Sequence, residues 1–317
     1  MSNDYRIVSV AMATYNGEQY IEEQLDSIRM QTKKVDEIII VDDGSTDRTV
    51  EMILEYAKKH SDCNIKFAQN DTNLGYKKNF CKAMSLCNGD IIFLCDQDDK
   101  WFKNKVECLC ELLDERSEIG VISTAFTQMD GNGVPGEQKS AYQRKMKKNE
   151  LAEVPLKDLI FHNVSQGCAM AMRKEIKNLY LQAFDDTIPH DWIINVIAAM
   201  KKKCYYWNVP MFFYRIHDNN TIGLSDNMAF QKKNTMEVRT KDAICATRVL
   251  NFIEKFDSDY YRENSWLEKA KGFSFNHVKF LKEGLFWQLL FQNLNPCYGK
   301  LKTIRGRILD MFFVLKK

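Results

Sequence analysis

The sequence predicts an α/β protein in which a mostly parallel sheet is covered by helices on both faces, a Rossmann-like αβα sandwich, with a helical region behind it. Three observations carry that expectation. Short, continuous apolar runs alternate with amphipathic stretches over the first hundred residues, as βαβ units do. Several of those runs end in clusters of polar residues. Beyond about residue 225 the apolar residues recur at helical spacing.

The apolar runs at 7–12, 38–41, 65–68 and 91–95 are rich in Ile and Val, as strands buried on both faces are. Residues 18–30 carry Tyr20, Ile21, Leu25 and Ile28 on one stripe, and residues 50–57 repeat the pattern, so each is read as a helix covering the sheet. Residues 101–113 do the same, with Val106, Leu109 and Leu113 inward. The turn pairs Asp130-Gly131 and Asn132-Gly133 open a lysine-rich stretch to residue 150, read as an exposed loop. A strand at 168–172, a helix at 190–200 and an extended segment at 204–214, interrupted by Pro210, follow. The expected domains are therefore a catalytic unit over residues 1–224 and a helical region over 225–317. In the latter, Ala243, Ile244, Thr247, Leu250 and Ile253 form one stripe, and Phe286, Leu289, Leu290 and Phe291 another.

Composition narrows the function. With 45% hydrophobic and 28% charged residues the chain reads as globular. A net charge of only +2 excludes the strongly basic footprint of a nucleic-acid binder. No apolar run approaches the roughly 18 residues of a membrane span, and the first residues are not signal-like, so a cytoplasmic protein is expected. Ten cysteines without a C-x-x-C pair are read as reduced core residues. Residues 300–317 hold six basic residues and one acid among Leu, Ile and Phe, a mix that suits the anionic inner leaflet or, alternatively, an ordinary amphipathic helix packed on the protein.

Ligands of open parallel sheets bind beyond the carboxyl ends of the strands. Here those ends run into Thr14-Tyr15-Asn16-Gly17, Asp42-Asp43-Gly44-Ser45 and Asp96-Gln97-Asp98-Asp99. The first two also read as ordinary turns and caps. The third sets three carboxylates within four residues after a buried strand, and their repulsion calls for a divalent cation, Mn²⁺ or Mg²⁺ by the hardness of the ligands.

These motifs, with Asn73-Leu74-Gly75 and Gly89-Asp90, resemble the family 2 glycosyltransferases of the GT-A fold over residues 6–224. The resemblance implies that Asp42 accepts from the imide N–H of uracil or thymine, an assignment consistent with an acceptor-only carboxylate. Thr14, Tyr15, Asn16, Asp43 and Asp96 would complete the nucleotide pocket, with Gln97 beside the donor sugar. Asp98 would bind the metal directly, with Asp96 near it. Pro189-His190-Asp191-Trp192 matches the place of the catalytic base, Asp191, although an Asp in a first helical turn also serves the helix dipole. Together with Tyr214-Arg215-Ile216-His217-Asp218-Asn219-Asn220, the His-Asp-Trp form is similar to rhamnosyltransferases of bacterial polysaccharide synthesis. Arg215 would face the leaving diphosphate and His217 would be a further metal ligand. Gln166, Gly167, His190 and Trp192 would lie on the acceptor side.

The implied partners are a nucleotide-sugar donor, dTDP-rhamnose or else UDP-glucose or UDP-galactose, and a saccharide acceptor carried on lipid. A nucleotidyltransferase is disfavoured because no Gly-rich phosphate loop follows the first strand. A non-catalytic sugar-binding scaffold would have no need of Asp96, Asp98 and Asp191 together.

Overall fold

The computed structural model describes residues 6–136, 140–217 and 235–315. The motif residues Asp218, Asn219 and Asn220 therefore lie outside the described residues. The chain divides into two compact units, Met1–Pro155 with Val164–Thr221, and Leu156–Asn163 with Ile222–Lys317.

In the first unit the strands are β1 (Val8–Thr14), β2 (Glu37–Asp42), β3 (Ile65–Gln69), β4 (Ile91–Asp96), β5 (Lys100–Trp101), β6 (Val121–Asp130), β7 (Leu151–Glu153), β8 (Met170–Arg173) and β9 (Cys204–Ile216). They form one mixed sheet in the order β3-β2-β1-β4-β8-β6-β9-β5, with β7 also paired to β9. The β3-β2-β1-β4 half is parallel. Its apolar runs are fully buried at Val10, Ile40 and Phe93, each such side chain contributing about 1.5–3 kcal/mol by leaving water. β8 runs antiparallel to both neighbours, while β6 and β9 are parallel, with register shifts around Ala125. The covering helices are α1 (Ile21–Arg29), α2 (Thr49–Lys59), α3 (Tyr76–Leu86), α4 (Lys105–Glu115), α7 (Lys174–Gln182) and α8 (His190–Met200). This is the GT-A arrangement, followed by C-terminal helices.

Three expectations change in detail. The lysine-rich stretch before residue 150 is not all loop: Ser140 caps a short helix, α5 (Ala141–Lys145), through a reciprocal box with Gln143, and β7 follows. The expected strand at 168–172 begins as a 3₁₀ turn, Gly167–Ala169. Tyr20 leaves the apolar stripe and stands at the N-cap of α1.

The second unit contains α6 (Leu156–Leu159), α9 (Met236–Phe256), α10 (Ser258–Glu263), α11 (Ser265–Glu283), α12 (Phe286–Phe291), α13 (Pro296–Leu301) and α14 (Ile304–Leu315). The segment at α6 is tied to this unit by the edge contact of Phe161 with Phe273 and by His162 Nε2–H donating to the Leu301 carbonyl, 2.9 Å. On α9 the buried face is Ala243, Ala246, Val249, Leu250 and Ile253, with Ile244 and Thr247 only half-buried. On α12 only Leu289 of the expected stripe is buried. No helix among the described residues is long and apolar enough to cross a membrane.

Candidate active site

The parallel register brings the polar strand ends into line. Thr14 pairs with Asp42, Asp42 with Gln69, and Ala13 with Asp96. The hairpin partner of the acidic turn is β9: Lys100 stands opposite Phe213 and Trp101 opposite Phe212. Extending that antiparallel register backwards by two residues sets Asp98 across from Arg215. Two segments more than a hundred residues apart in the chain are thereby joined.

Arg215 occupies that junction. Its backbone N–H donates to Asp99 Oδ1, 3.1 Å, and Nε–H donates to the Asp98 carbonyl, 2.8 Å. One terminal nitrogen reaches the carbonyls of Asp130 and Gly131, 3.4 and 3.2 Å, and the other pairs with Glu23 at 2.5 Å. The guanidinium also lies 4.5 Å over the Tyr20 ring. Arg215 is 2% exposed. Its fork is thus engaged within the protein, where it holds the acidic turn, the 130–131 turn and α1 together. Glu23 and Tyr20 escaped sequence reasoning because both looked like ordinary helix-face residues. Burial pushes the Glu23 carboxyl up, but Lys100 and Arg215 outweigh it and hold the group below its usual range.

His217 Nε2 lies 2.9 Å from Asp98 Oδ2, and its ring packs 4.9 Å from Tyr20. The structure therefore brings together the expected ligands Asp98 and His217. Asp96 ends β4 nearby and is pushed up to about 7, first by burial and then by the charge of Asp98. Asp99 is fully buried and pushed well up by burial and by Asp98 and Asp96. Its Oδ2 has no hydrogen-bond partner among the described residues.

Asp96, Asp99 and Cys168 offer atoms within 4.8 Å of one another. A thiol suits a softer ion, so a hard cation favours the oxygens of Asp96 and Asp98 and the His217 nitrogen. The mutually repelling carboxylates fit a divalent ion, because its charge offsets what the protein leaves uncompensated. Below them Lys105 is fully buried, donates to the Cys168 carbonyl at 2.8 Å and lies 4.1 Å over the Trp101 ring. Burial pulls its ammonium down to about 8.

The carboxylates after β2 are bonded within their own turns. Asp42 is fully buried. It accepts from Gly44 N–H, Ser45 N–H, the Ser45 and Thr14 hydroxyls and Gln69 Nε2–H, at 2.5–3.2 Å. Five donors fill a carboxylate with about four lone-pair sites, so in this structure Asp42 anchors the turn after β2.

Asp43 is likewise taken up by the N–H groups of Leu74 and Gly75 and by Asn70, each at 2.8 Å. This explains the Asn73-Leu74-Gly75 motif: Gly75 has φ +82°, and the chain turns so that its amides cap Asp43. Gln97 bridges the strand ends, accepting from Tyr15 N–H at 2.8 Å and donating to the Tyr15 carbonyl at 2.9 Å. Gly17 leaves room for this bridge, since a Cβ would sit 2.3 Å from the Gln97 amide and push it aside. Asn16, at φ +48°, accepts from Thr46 N–H at 2.8 Å. Tyr15 is exposed and Thr14 buried.

Asp191 lies in the first turn of α8, half-buried, and accepts from Trp192 N–H at 2.8 Å. Its charge contributes to the upward shift of Asp96, which places base candidate and acidic turn in one electrostatic neighbourhood. His190 and Trp192, which flank Asp191 in the chain, are buried. His190 stacks on Phe80 at 4.3 Å, and a Cβ on Gly167 would meet its Nε2 at 2.7 Å. Gly167 therefore lets α8 begin close to the sheet, while Gln166 is half-buried beside it.

Burial holds His190 down to about 3, and in the second unit holds His277 down to about 4, against an ordinary value of 6.5. Both are protonated more readily unfolded. Their contribution to stability is thus full above pH 6.5 and falls with pH below it, by on the order of 1.4 kcal/mol per pH unit for each histidine until its folded value is reached. The raised Asp96 and Asp99 act in the opposite sense in the first unit, so the difference between wild type and His277→Gln is read by urea denaturation at pH 7.5, 6 and 5, and a difference that does not change with pH would contradict the burial of the His277 ring.

Comparison with known proteins places this geometry. The chain is 29% identical over 308 residues to the dTDP-rhamnosyl transferase RfbG of Shigella flexneri, covering 92% of this chain and 99% of that protein. Two solved structures share the fold. TarS 1–349 of S. aureus, in complex with UDP-GlcNAc, aligns with a TM-score of 0.59 at 19% identity over 98% of this chain and 92% of that one. The mannosyltransferase PcManGT of Pyrobaculum calidifontis, in complex with GDP-Man and Mn²⁺, aligns with a TM-score of 0.52 at 15% identity over 99% and 88%. The model of glycosyl transferase family 2 matches residues 9–179, which take in the strand ends, the acidic turn and the sheet that carries them, and the chain belongs to that family.

Proposed function

We propose that the protein transfers L-rhamnose from dTDP-rhamnose, with inversion, onto a hydroxyl of a lipid-carried saccharide during assembly of a cell-surface polysaccharide, and that the first unit does the catalytic work. The observation that carries this reading is the contact of His217 with Asp98 in the acidic turn that follows β4, with the charges of Asp98 and Asp191 both acting on Asp96. The end-to-end similarity to a dTDP-rhamnosyl transferase supports the choice of donor.

In this mechanism the Asp191 carboxylate takes the proton of the acceptor hydroxyl as its oxygen bonds to the anomeric carbon. The bond from that carbon to the β-phosphate oxygen breaks in the same displacement, so one inversion results and dTDP departs. Asp96, Asp98 and His217 would hold Mn²⁺ or Mg²⁺, which supplies positive charge for the diphosphate as it leaves. Arg215 keeps the turn that bears these ligands in register with β9. Lys105 places a buried positive charge behind the acids.

A donor panel tests the assignment. Purified protein is offered dTDP-rhamnose, UDP-glucose and UDP-galactose, with and without Mn²⁺, and scored for released nucleoside diphosphate and for thermal stabilisation. dTDP-rhamnose with Mn²⁺ is expected to stabilise most, by about 2.7 kcal/mol at a hundred times its Kd. Preference for a UDP-sugar would replace the donor but keep the reaction, whereas indifference to every donor would remove both.

A further inference from the structure

We infer that α12 and α14 of the second unit form a docking surface for a bilayer rich in anionic phospholipid. α14 is folded inside out. Its acid, Asp310, is 0% exposed, while Ile308, Phe312 and Leu315 on the opposite face look outward, Phe312 at 58%. The inversion is held by cations: Asp310 accepts from Arg239 Nη1 at 2.7 Å, from Lys302 Nζ at 2.9 Å and from the Tyr298 hydroxyl at 3.0 Å. Four residues per turn separate Ile308 from Phe312, so the outward side chains make one stripe.

α12 packs against α14 and adds its own outward residues. Trp287 is 66% exposed and Phe291 67%, and Leu294 in the following 3₁₀ turn is 83% exposed. Five large apolar side chains thus lie bare on two adjoining helices, with Leu294 just beyond one of them, and a soluble surface rarely leaves so many together. Leu289 and Val314 turn inward, so the outward residues are not the helices' only means of packing.

Charge selects the occupant. Between residues 284 and 317 the only acid is Asp310, and it is buried. Its neutralisation uses Lys302 and Arg239, so the charge left outward along this stretch is positive, with Lys300 and Arg305 exposed. Exposed aromatic and aliphatic residues flanked by cations, with the exposed Glu283 at the margin of the stretch as its nearest acid, match the headgroup boundary of an anionic leaflet, where Trp and Phe enter the acyl margin and Lys and Arg meet phosphates. A protein partner is not required for either half of that match. The inference is independent of the sugar transferred.

Cosedimentation of the full-length protein with vesicles tests it. Vesicles of equal phosphatidylglycerol and phosphatidylcholine are compared with phosphatidylcholine alone, at 0.1 M salt, without donor or acceptor. Wild type is expected to sediment with the anionic vesicles and far less with the neutral ones. Combined Trp287→Ser, Phe291→Ser and Phe312→Ser should weaken partitioning more than about tenfold, with Tm unchanged because all three side chains are exposed. Lys300→Gln with Arg305→Gln, which leaves the apolar face intact, should weaken it by about fivefold per charge removed. Failure of wild type to bind anionic vesicles overturns the proposal, as does undiminished binding by the triple variant. A wild-type dimer that the triple variant abolishes, in the absence of vesicle binding, overturns it in favour of a second copy of this chain.

Discussion

Asparagine at position 191 is expected to lower kcat by about 10²- to 10⁴-fold, the range supplied by a positioned general base, while leaving donor binding nearly intact. The change is close to isosteric. An amide oxygen can still accept from Trp192 N–H, a bond of 2.8 Å in the structure, so the first turn of α8 keeps its geometry. What disappears is the ability to take a proton from the acceptor. The charge that raises the proton affinity of Asp96 also disappears, so metal-dependent donor binding should hold or strengthen slightly. Single-turnover transfer and donor-induced thermal stabilisation, measured on the same preparation, separate the two effects. Turnover at the wild-type rate would remove Asp191 as the base, and loss of donor binding would make it a structural residue of the site.

Alanine in place of Asp310 is expected to destabilise the second unit by about 3–5 kcal/mol, the cost of leaving buried partners without their counter-charge. Asp310 is the meeting point of Arg239, Lys302 and Tyr298, and His277 Nε2 lies 3.6 Å from it. Burial lowers the Lys302 ammonium, and only the carboxylate beside it opposes that fall strongly. Without Asp310 the Lys302 ammonium must shed its proton or water must reach both it and the Arg239 guanidinium, which stays charged, and α14 loses the bonds that turn its apolar stripe outward. Asp310→Asn keeps an acceptor and should cost less than alanine. Thermal unfolding measures the pair, with a fall in Tm of roughly 10 °C for alanine. A change of a degree or two would mean that the helix is held by its apolar contacts alone.

Both positions show how unevenly this chain reveals itself. The parallel half of the sheet was legible because Ile- and Val-rich runs such as Ile38 to Val41 have a pattern only strands buried on both faces require. The acidic turn was legible because Asp96, Asp98 and Asp99 follow such a run directly. The bonding of Asp42 was not legible because an unbonded carboxylate and one that accepts from five donors look the same as letters. The contacts of Arg215 were hidden for a similar reason: its partners, Asp98, Asp130 and Glu23, lie 117, 85 and 192 residues away in the chain.

By itself the sequence determined the repeating βαβ plan, the family and the acids that mark the strand ends, since periodicity and short motifs record how each segment is buried over a few neighbouring residues. Only the tertiary structure decided that β5 pairs with β9 and so carries His217 to Asp98. It alone decided, too, that Asp42 and Asp43 face inward as turn anchors, and that the last helix hides its acid and shows its apolar side. Each of those outcomes depends on which distant groups supply a hydrogen bond or a counter-charge, and that is fixed by strand register and helix packing across the chain.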